Sequence, residues 1–204
     1  MQKGRIRQEF KLNEDGSAKV LSGVPPDYFS KTGQLWGNPI YDWEKMRSGG
    51  FRWWIERVRF TLQMVDVIRI DHFRGFVACW EVPAKDKTAE NGRGVKVPGK
   101  ELFNALKKEF GDLPVMAEDL GLITPEVEEL RDSNGFPGMK ILQYAFSGDA
   151  KNDYLPHNYI KNCVVYTGTH DNDTSVGWFN SANVQEREFC KKYLKTNGEQ
   201  IHWE

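Results

Sequence analysis

The chain has 204 residues, a formal charge of −1 at pH 7 and a hydrophobic share of 39%, the balance of an ordinary globular domain. Basic and acidic residues are interspersed, so no nucleic-acid partner is expected; no apolar run reaches membrane-spanning length, and MQKGRIRQEF lacks a signal-peptide core, so no membrane association is expected either. Cys79, Cys163 and Cys190 are widely spaced with no C-x-x-C pair; they read as reduced packing thiols and set the expectation of a cytoplasmic protein.

In chain order, residues 1–20 read as an irregular or hairpin segment with EDGS as the turn between EFKL and AKVL. Residues 22–43 are dense in Gly, Pro and aromatics and fit neither period, so a functional loop is expected there. The spacing of Phe51, Trp54, Ile55, Val58 and Leu62 predicts a helix across 50–64 that leads into a strand from Val65. A second irregular stretch, VPAKDKTAENGRGVKVPGK, precedes the helix ELFNALKKEFG, closed by Gly111, and a strand from Pro114. Thr124 then caps a helix with Pro125 in its first turn and a stop near Asn134 and Gly135. A strand from Met139 to Phe146, another from Cys163 and an amphipathic helix over Val184 to Tyr193 complete the pattern. Strand and helix alternate, so the class is α/β with parallel strands.

Three apolar runs, VDVIRIDHF, LPVMAEDLG and CVVYTGTHDND, stop at acids. Buried parallel strands ending this way would deliver Asp71, Glu118 and Asp171 to one rim, the carboxylate-lined pocket that glycosidic-bond chemistry needs. Arg69 shares a strand face with Asp71 and should favour its ionised form, as a nucleophile requires. Glu118 follows Val115, Met116 and Ala117 and should be walled by apolar groups, which suits a general acid. An isolated R-x-D is usually a structural ion pair; three strand-end acids together point to a site. Aromatics in polar loops, Tyr28, Phe29, Trp36 and Trp178, fit a carbohydrate groove, whereas Trp53, Trp54 and Trp80 read as core.

The segments GVPPDYFSKTGQLWGNPIYDW, RIDHFRGF, VPGKELFNAL, AEDLGLITPEVEELRD, GFPGMKILQYAF, LPHNY and VVYTGTHDNDT closely resemble, in order, those of the amylomaltases or 4-α-glucanotransferases. The resemblance implies Asp71 as nucleophile, Glu118 as general acid/base and Asp171 as the third carboxylate. It implies substrate contacts from Arg69, His170 and His72, with Asp27, Tyr28, Phe29, Gln34 and Trp36 in a loop over the acceptor side. It further implies α-1,4-glucan or maltooligosaccharide substrates and no metal or organic cofactor. The implied fold is a partial (β/α)8 TIM barrel, strands four to seven, in which residues 1–204 are the central part of the catalytic barrel and 22–43 the acceptor loop. A complete barrel typically takes about 250 residues. An α-amylase-type hydrolase and an inactive glucan-binding fragment are the alternatives. A metal hydrolase built on His72, His157, His170 and Asp173 is disfavoured by the lack of H-x-H or H-E-x-x-H spacing, and His157 and His202 read as surface or hydrogen-bonded histidines.

Overall fold

The computed structural model describes residues 6–27 and 30–201. Tyr28, Phe29 and His202, named above, lie outside the described residues. A 3-10 turn at Ile6–Glu9 precedes two antiparallel strands, β1 (Val20–Val24) and β2 (Gln34–Pro39), followed by helices α1 (Trp43–Ser48) and α2 (Arg52–Leu62). Strand β3 (Ile68–Ile70), a 3-10 turn at Phe73–Phe76, β4 (Ala78–Pro83) and β5 (Arg93–Lys96) lead to α3 (Gly99–Phe110). Next come β6 (Val115–Ala117), α4 (Pro125–Ser133), β7 (Gly138–Ile141) and β8 (Cys163–Tyr166), and α5 (Ser175–Ser181) and α6 (Val184–Leu194) close the chain. The fold is α/β, as the alternation of periods requires.

Two kinds of sheet coexist. A four-stranded antiparallel sheet has the order β2-β1-β4-β5. The remaining strands form parallel pairs, β3 with β6 and β7 with β8. One backbone bond joins the pairs, from Ala117 N–H to the Pro137 carbonyl at 2.9 Å.

The antiparallel sheet corrects the sequence reading, since residues 22–43 and the stretch after Phe76 were both expected to be irregular. β2 and β5 lack an alternating pattern because both of their faces are largely solvated: every residue of β2 but Leu35, and of β5 but Val95, is exposed. Long-range pairing therefore decides where local pattern is silent. Gly23 shows why: a Cβ there would strike the carbonyl oxygen of Gln34, so only glycine permits the β1–β2 approach. Glu81, almost wholly buried in β4, is balanced by Lys11 and by Arg93 at 3.4 Å.

The parallel strands are shorter than the apolar runs suggest. Val65 and Val67 are exposed and β3 begins only at Ile68. The run from Met139 to Phe146 leaves strand geometry after Ile141 and turns through a 3-10 segment at Leu142–Tyr144. Thr124 occupies the N-cap of α4 with Pro125 behind it, as the sequence suggests, but its side chain makes no capping bond. At α6, a full capping box between Asn183 and Glu186 holds the start.

The main core is aromatic. Phe103 on α3 lies 5.3 Å from both Phe76 and Phe136 and 5.6 Å from Phe73, centroid to centroid. Leu102, Phe103 and Leu106 form the buried stripe of α3 against Val115 and Ala117 of β6. Burying each such side chain stabilises by about 1.5–3 kcal/mol. A smaller core gathers Ala145, Phe146, Leu155 and Cys190 with Trp178 packed against it. Trp178, expected on a sugar groove, is thus a packing residue, its ring tilted 39° to that of Phe146 with centroids 5.3 Å apart; helix periodicity after Ser175 turns it inward.

Candidate active site

Ile70 stands opposite Ala117 in the parallel register of β3 and β6, so the next residues, Asp71 and Glu118, leave neighbouring strands side by side. The junction is tied twice: Glu118 N–H donates to the Ile70 carbonyl and Phe73 N–H to the Glu118 carbonyl, each at 2.9 Å. Asp71, Glu118 and Asp171 line a single cleft of ≈ 390 Å³, together with Arg69, His72, Gln34 and Trp36. Gln34 and Trp36 come from β2, so the antiparallel sheet supplies one wall and the parallel strands the floor. A larger hollow between α4 and the β4–β5 edge, ≈ 590 Å³, sets Lys96 and Lys100 against Glu126 and Glu129 and contains none of these three acids.

The acids differ in environment. Asp71 is 78% exposed, with Oδ1 3.4 Å from Arg69 Nη2; in water such a pair contributes about 0–1 kcal/mol. Glu118 is half-buried: Oε2 accepts the His72 N–H at 2.6 Å and Oε1 the Leu120 N–H at 2.8 Å. Burial pushes the Glu118 carboxyl above its ordinary range; the two N–H bonds oppose this without cancelling it, and Asp71 and Asp119 add to the rise. Asp171 lies in the loop beyond β8 rather than at the strand end, exposed, with Oδ2 3.4 Å from His170 Nε2.

The loop carrying Asp171 is held by its own polar residues. Thr169 donates its N–H and hydroxyl to Asn172 Oδ1 at 2.9 and 3.0 Å, and Asn172 Nδ2 donates to Tyr144 Oη at 2.9 Å. Gln143 Nε2 donates to the Asp173 carbonyl at 2.8 Å, fastening the loop to the turn after β7. The T-x-x-N spacing could have signalled this turn; the role of Gln143 had no local signal.

Of the remaining expected contacts, Trp36 packs edge-to-face on His72 with centroids 4.8 Å apart. Burial lowers the His72 imidazole to about 4, with Arg74 reinforcing and Asp71 opposing, so the ring is neutral near pH 7. His170 is exposed beside Asp171 and is not part of the cleft wall. Asp27 is also outside that wall; its Oδ1 accepts the Ser30 N–H at 2.8 Å and its own N–H donates to the Ser30 carbonyl at 2.9 Å, shaping the turn before β2. His157 bonds Tyr193 Oη at 2.8 Å, as a hydrogen-bonded surface histidine.

Sequence reasoning missed the support beneath the acids. Asp119, adjacent to Glu118, is buried and lies outside the cleft wall. Its carboxylate pairs with the buried Arg131 guanidinium and accepts the Met139 N–H at 2.7 Å. A side chain thus replaces a ladder bond at the β6–β7 seam, and a Cβ on Gly138 would lie 2.5 Å from Asp119 Oδ2.

Asp71 and Glu118 where parallel strands end, with Asp171 from the loop beyond β8 and an aromatic-edged wall, make this an α/β scaffold with a carboxylate-lined cleft. A profile of the 4-alpha-glucanotransferase family matches residues 5–204, and the chain belongs to that family. It is 58% identical over 193 residues to the 4-alpha-glucanotransferase of a Synechocystis strain, covering 93% of this chain and 38% of that protein. The Thermus thermophilus 4-alpha-glucanotransferase is 52% identical over 202 residues, covering 95% of this chain and 40% of its own length. Among solved structures, an amylomaltase from Streptococcus agalactiae in complex with acarbose superposes with a TM-score of 0.89 at 42% identity, covering 94% of this chain and 39% of that one. The chain therefore spans about two-fifths of the length of these relatives.

Proposed function

We propose that this chain is the part of a 4-alpha-glucanotransferase that carries its reacting acids: strands four to seven of a (β/α)8 barrel, with residues 22–43 on the acceptor side. The observation that carries the reading is one cleft holding Asp71, Glu118 and Asp171, in which burial raises Glu118 while Asp71 stands exposed beside Arg69. Among the described residues, β3 pairs only with β6 and β8 only with β7, so both outer edges of the parallel set are open to further strands. That, and the two-fifths coverage of relatives, supports a barrel continued by sequence outside this chain.

In the proposed reaction, Asp71 attacks the anomeric carbon of an α-1,4-linked glucan and forms a covalent glycosyl-enzyme intermediate as the glycosidic bond breaks. Glu118, whose half-buried position favours its protonated form, gives its proton to the departing oxygen. The resulting carboxylate then takes the proton from the 4-hydroxyl of an incoming sugar, which displaces Asp71 and restores both acids. Asp171, with His170 beside it, hydrogen-bonds the ring hydroxyls as the sugar flattens. Trp36 offers the acceptor a stacking face and excludes water, which favours transfer over hydrolysis; Tyr28 and Phe29 are proposed for the same wall. Neither metal nor organic cofactor is required by this chemistry.

The test is a chimera in which this chain replaces the matching region of the Thermus thermophilus relative. It should convert maltotriose into glucose and longer oligomers, and Asp71→Asn should abolish turnover while maltooligosaccharide binding persists. A folded chimera without transfer, or an Asp71→Asn chimera at full rate, would overturn the assignment. Products dominated by hydrolysis even with added glucose would favour the α-amylase-type alternative. The isolated chain, with open strand edges and part of the sugar wall missing, should yield no measurable transfer, since misplaced substrate costs orders of magnitude in rate.

A further inference from the structure

His72 follows Asp71 and is one of three non-glycine residues with positive φ among those described, at φ 49° and ψ 54°. Left-handed backbone is unfavourable for a residue with a Cβ and persists where its surroundings over-determine it. Those surroundings are visible here. Successive N–H groups of an extended strand point to opposite sides, yet the N–H groups of His72 and Phe73 both reach Glu118, the first at its carboxylate (2.6 Å) and the second at its carbonyl (2.9 Å). A left-handed turn between them is what allows two neighbouring donors to converge on one residue. On the other side of His72, the edge-to-face contact with Trp36 fixes the imidazole, and Phe73 is fully buried in the aromatic core. The turn is clamped from both ends.

We propose that His72 is a positioning residue for Glu118: its left-handed turn aims a backbone N–H at Oε2 and so selects the carboxyl orientation presented to the cleft, while the Trp36 contact holds the turn. The use of that orientation in proton transfer rests on the reading of Glu118 under Proposed function; the positioning itself does not. Asp71 and Asp119 are the like charges bearing on Glu118, opposed by the N–H groups of Leu120 and His72. Arg69 lines the same cleft, and the His72 ring is neutral near pH 7. The backbone of His72, not its imidazole, is therefore the group acting on the acid.

The experiment is an NMR titration of the Glu118 side-chain carboxyl in the whole isotope-labelled chain. His72→Gly permits positive φ but gives up the Trp36 contact, so it should raise the proton affinity by a smaller factor than His72→Val, about twofold. His72→Val resists that conformation; loss of a hydrogen bond to the carboxylate should raise the proton affinity about tenfold. An unchanged His72→Val chain, or a His72→Gly chain shifted as far as His72→Val, would overturn the proposal. A second readout needs no change at position 72: in the parent, the His72 and Leu120 amide protons should move with the Glu118 midpoint, and Glu118→Gln should remove that step. A His72 amide indifferent to Glu118 refutes the proposal even where His72→Val fails to fold. None of these readouts uses turnover, so a chimera without transfer activity would sink the functional reading and leave this one standing.

Discussion

Removing Asp119 should destabilise the fold far more than removing any exposed acid of the cleft. Its side chain is 4% exposed and that of its partner Arg131 8%, so Asp119→Ala leaves a buried guanidinium with one partner fewer. Breaking a buried ion pair from one side costs about 3–5 kcal/mol. Asp132 still accepts from Arg131 Nε at 2.7 Å, which places the ionic part near the lower end, about 3 kcal/mol. The Met139 N–H also loses its acceptor, and an unsatisfied buried donor adds about 1 kcal/mol or more. The expected loss is therefore about 4 kcal/mol, a fall in Tm of roughly 8–16 °C for a chain of this size. Asp119→Asn can still accept from Met139 and should lose about 1 kcal/mol less. Urea unfolding followed by tryptophan fluorescence measures both. A loss below about 1 kcal/mol for Asp119→Ala would mean that the β6–β7 seam does not depend on this carboxylate, and the account of how Glu118 is supported would be wrong.

Phe103→Ala removes the ring shared by Phe73, Phe76 and Phe136 and should cost about 3–5 kcal/mol in the same unfolding assay. Burial holds Glu118 above its ordinary value of 4.5, so its contribution to stability is fully present below that value and is lost as pH rises through the higher folded value. Glu118→Gln, neutral throughout, should accordingly melt above the parent at pH 8 and lose that advantage at pH 3, read by calorimetry at both pH values. In the chimera, Trp36→Ala should weaken acceptor binding and increase the share of hydrolysis, scored as free glucose ends against disproportionation products; an unchanged ratio would move the water-excluding role off β2.

Much of the parallel part of the fold was legible because its signals are local. Helix spacing marks α2, α3 and α6, and the apolar runs before Asp71 and Glu118 mark β3 and β6. The ordered motifs were specific enough to carry the family resemblance, which the family match bears out. What the residues could not announce was anything decided by pairing at a distance. β2 and β5 are mostly exposed along their lengths, so no alternation distinguishes them from loop, and only their hydrogen bonds to β1 and β4 make them strands. Trp178 sits in a polar neighbourhood of the sequence and in an apolar one in space. Asp119 reads like its neighbour Glu118 as a letter, yet just beyond β6 one lines the cleft and the other pairs with Arg131 under the seam. The left-handed turn at His72 has no local mark, because it is imposed by Trp36 and Glu118, which lie far from it in the chain. The sequence by itself determined the chemistry available, acids and aromatics at the ends of apolar runs. Tertiary structure decided which of those acids is buried, which is exposed and which holds the others, because burial and hydrogen bonding depend on neighbours that the chain brings together only when it folds.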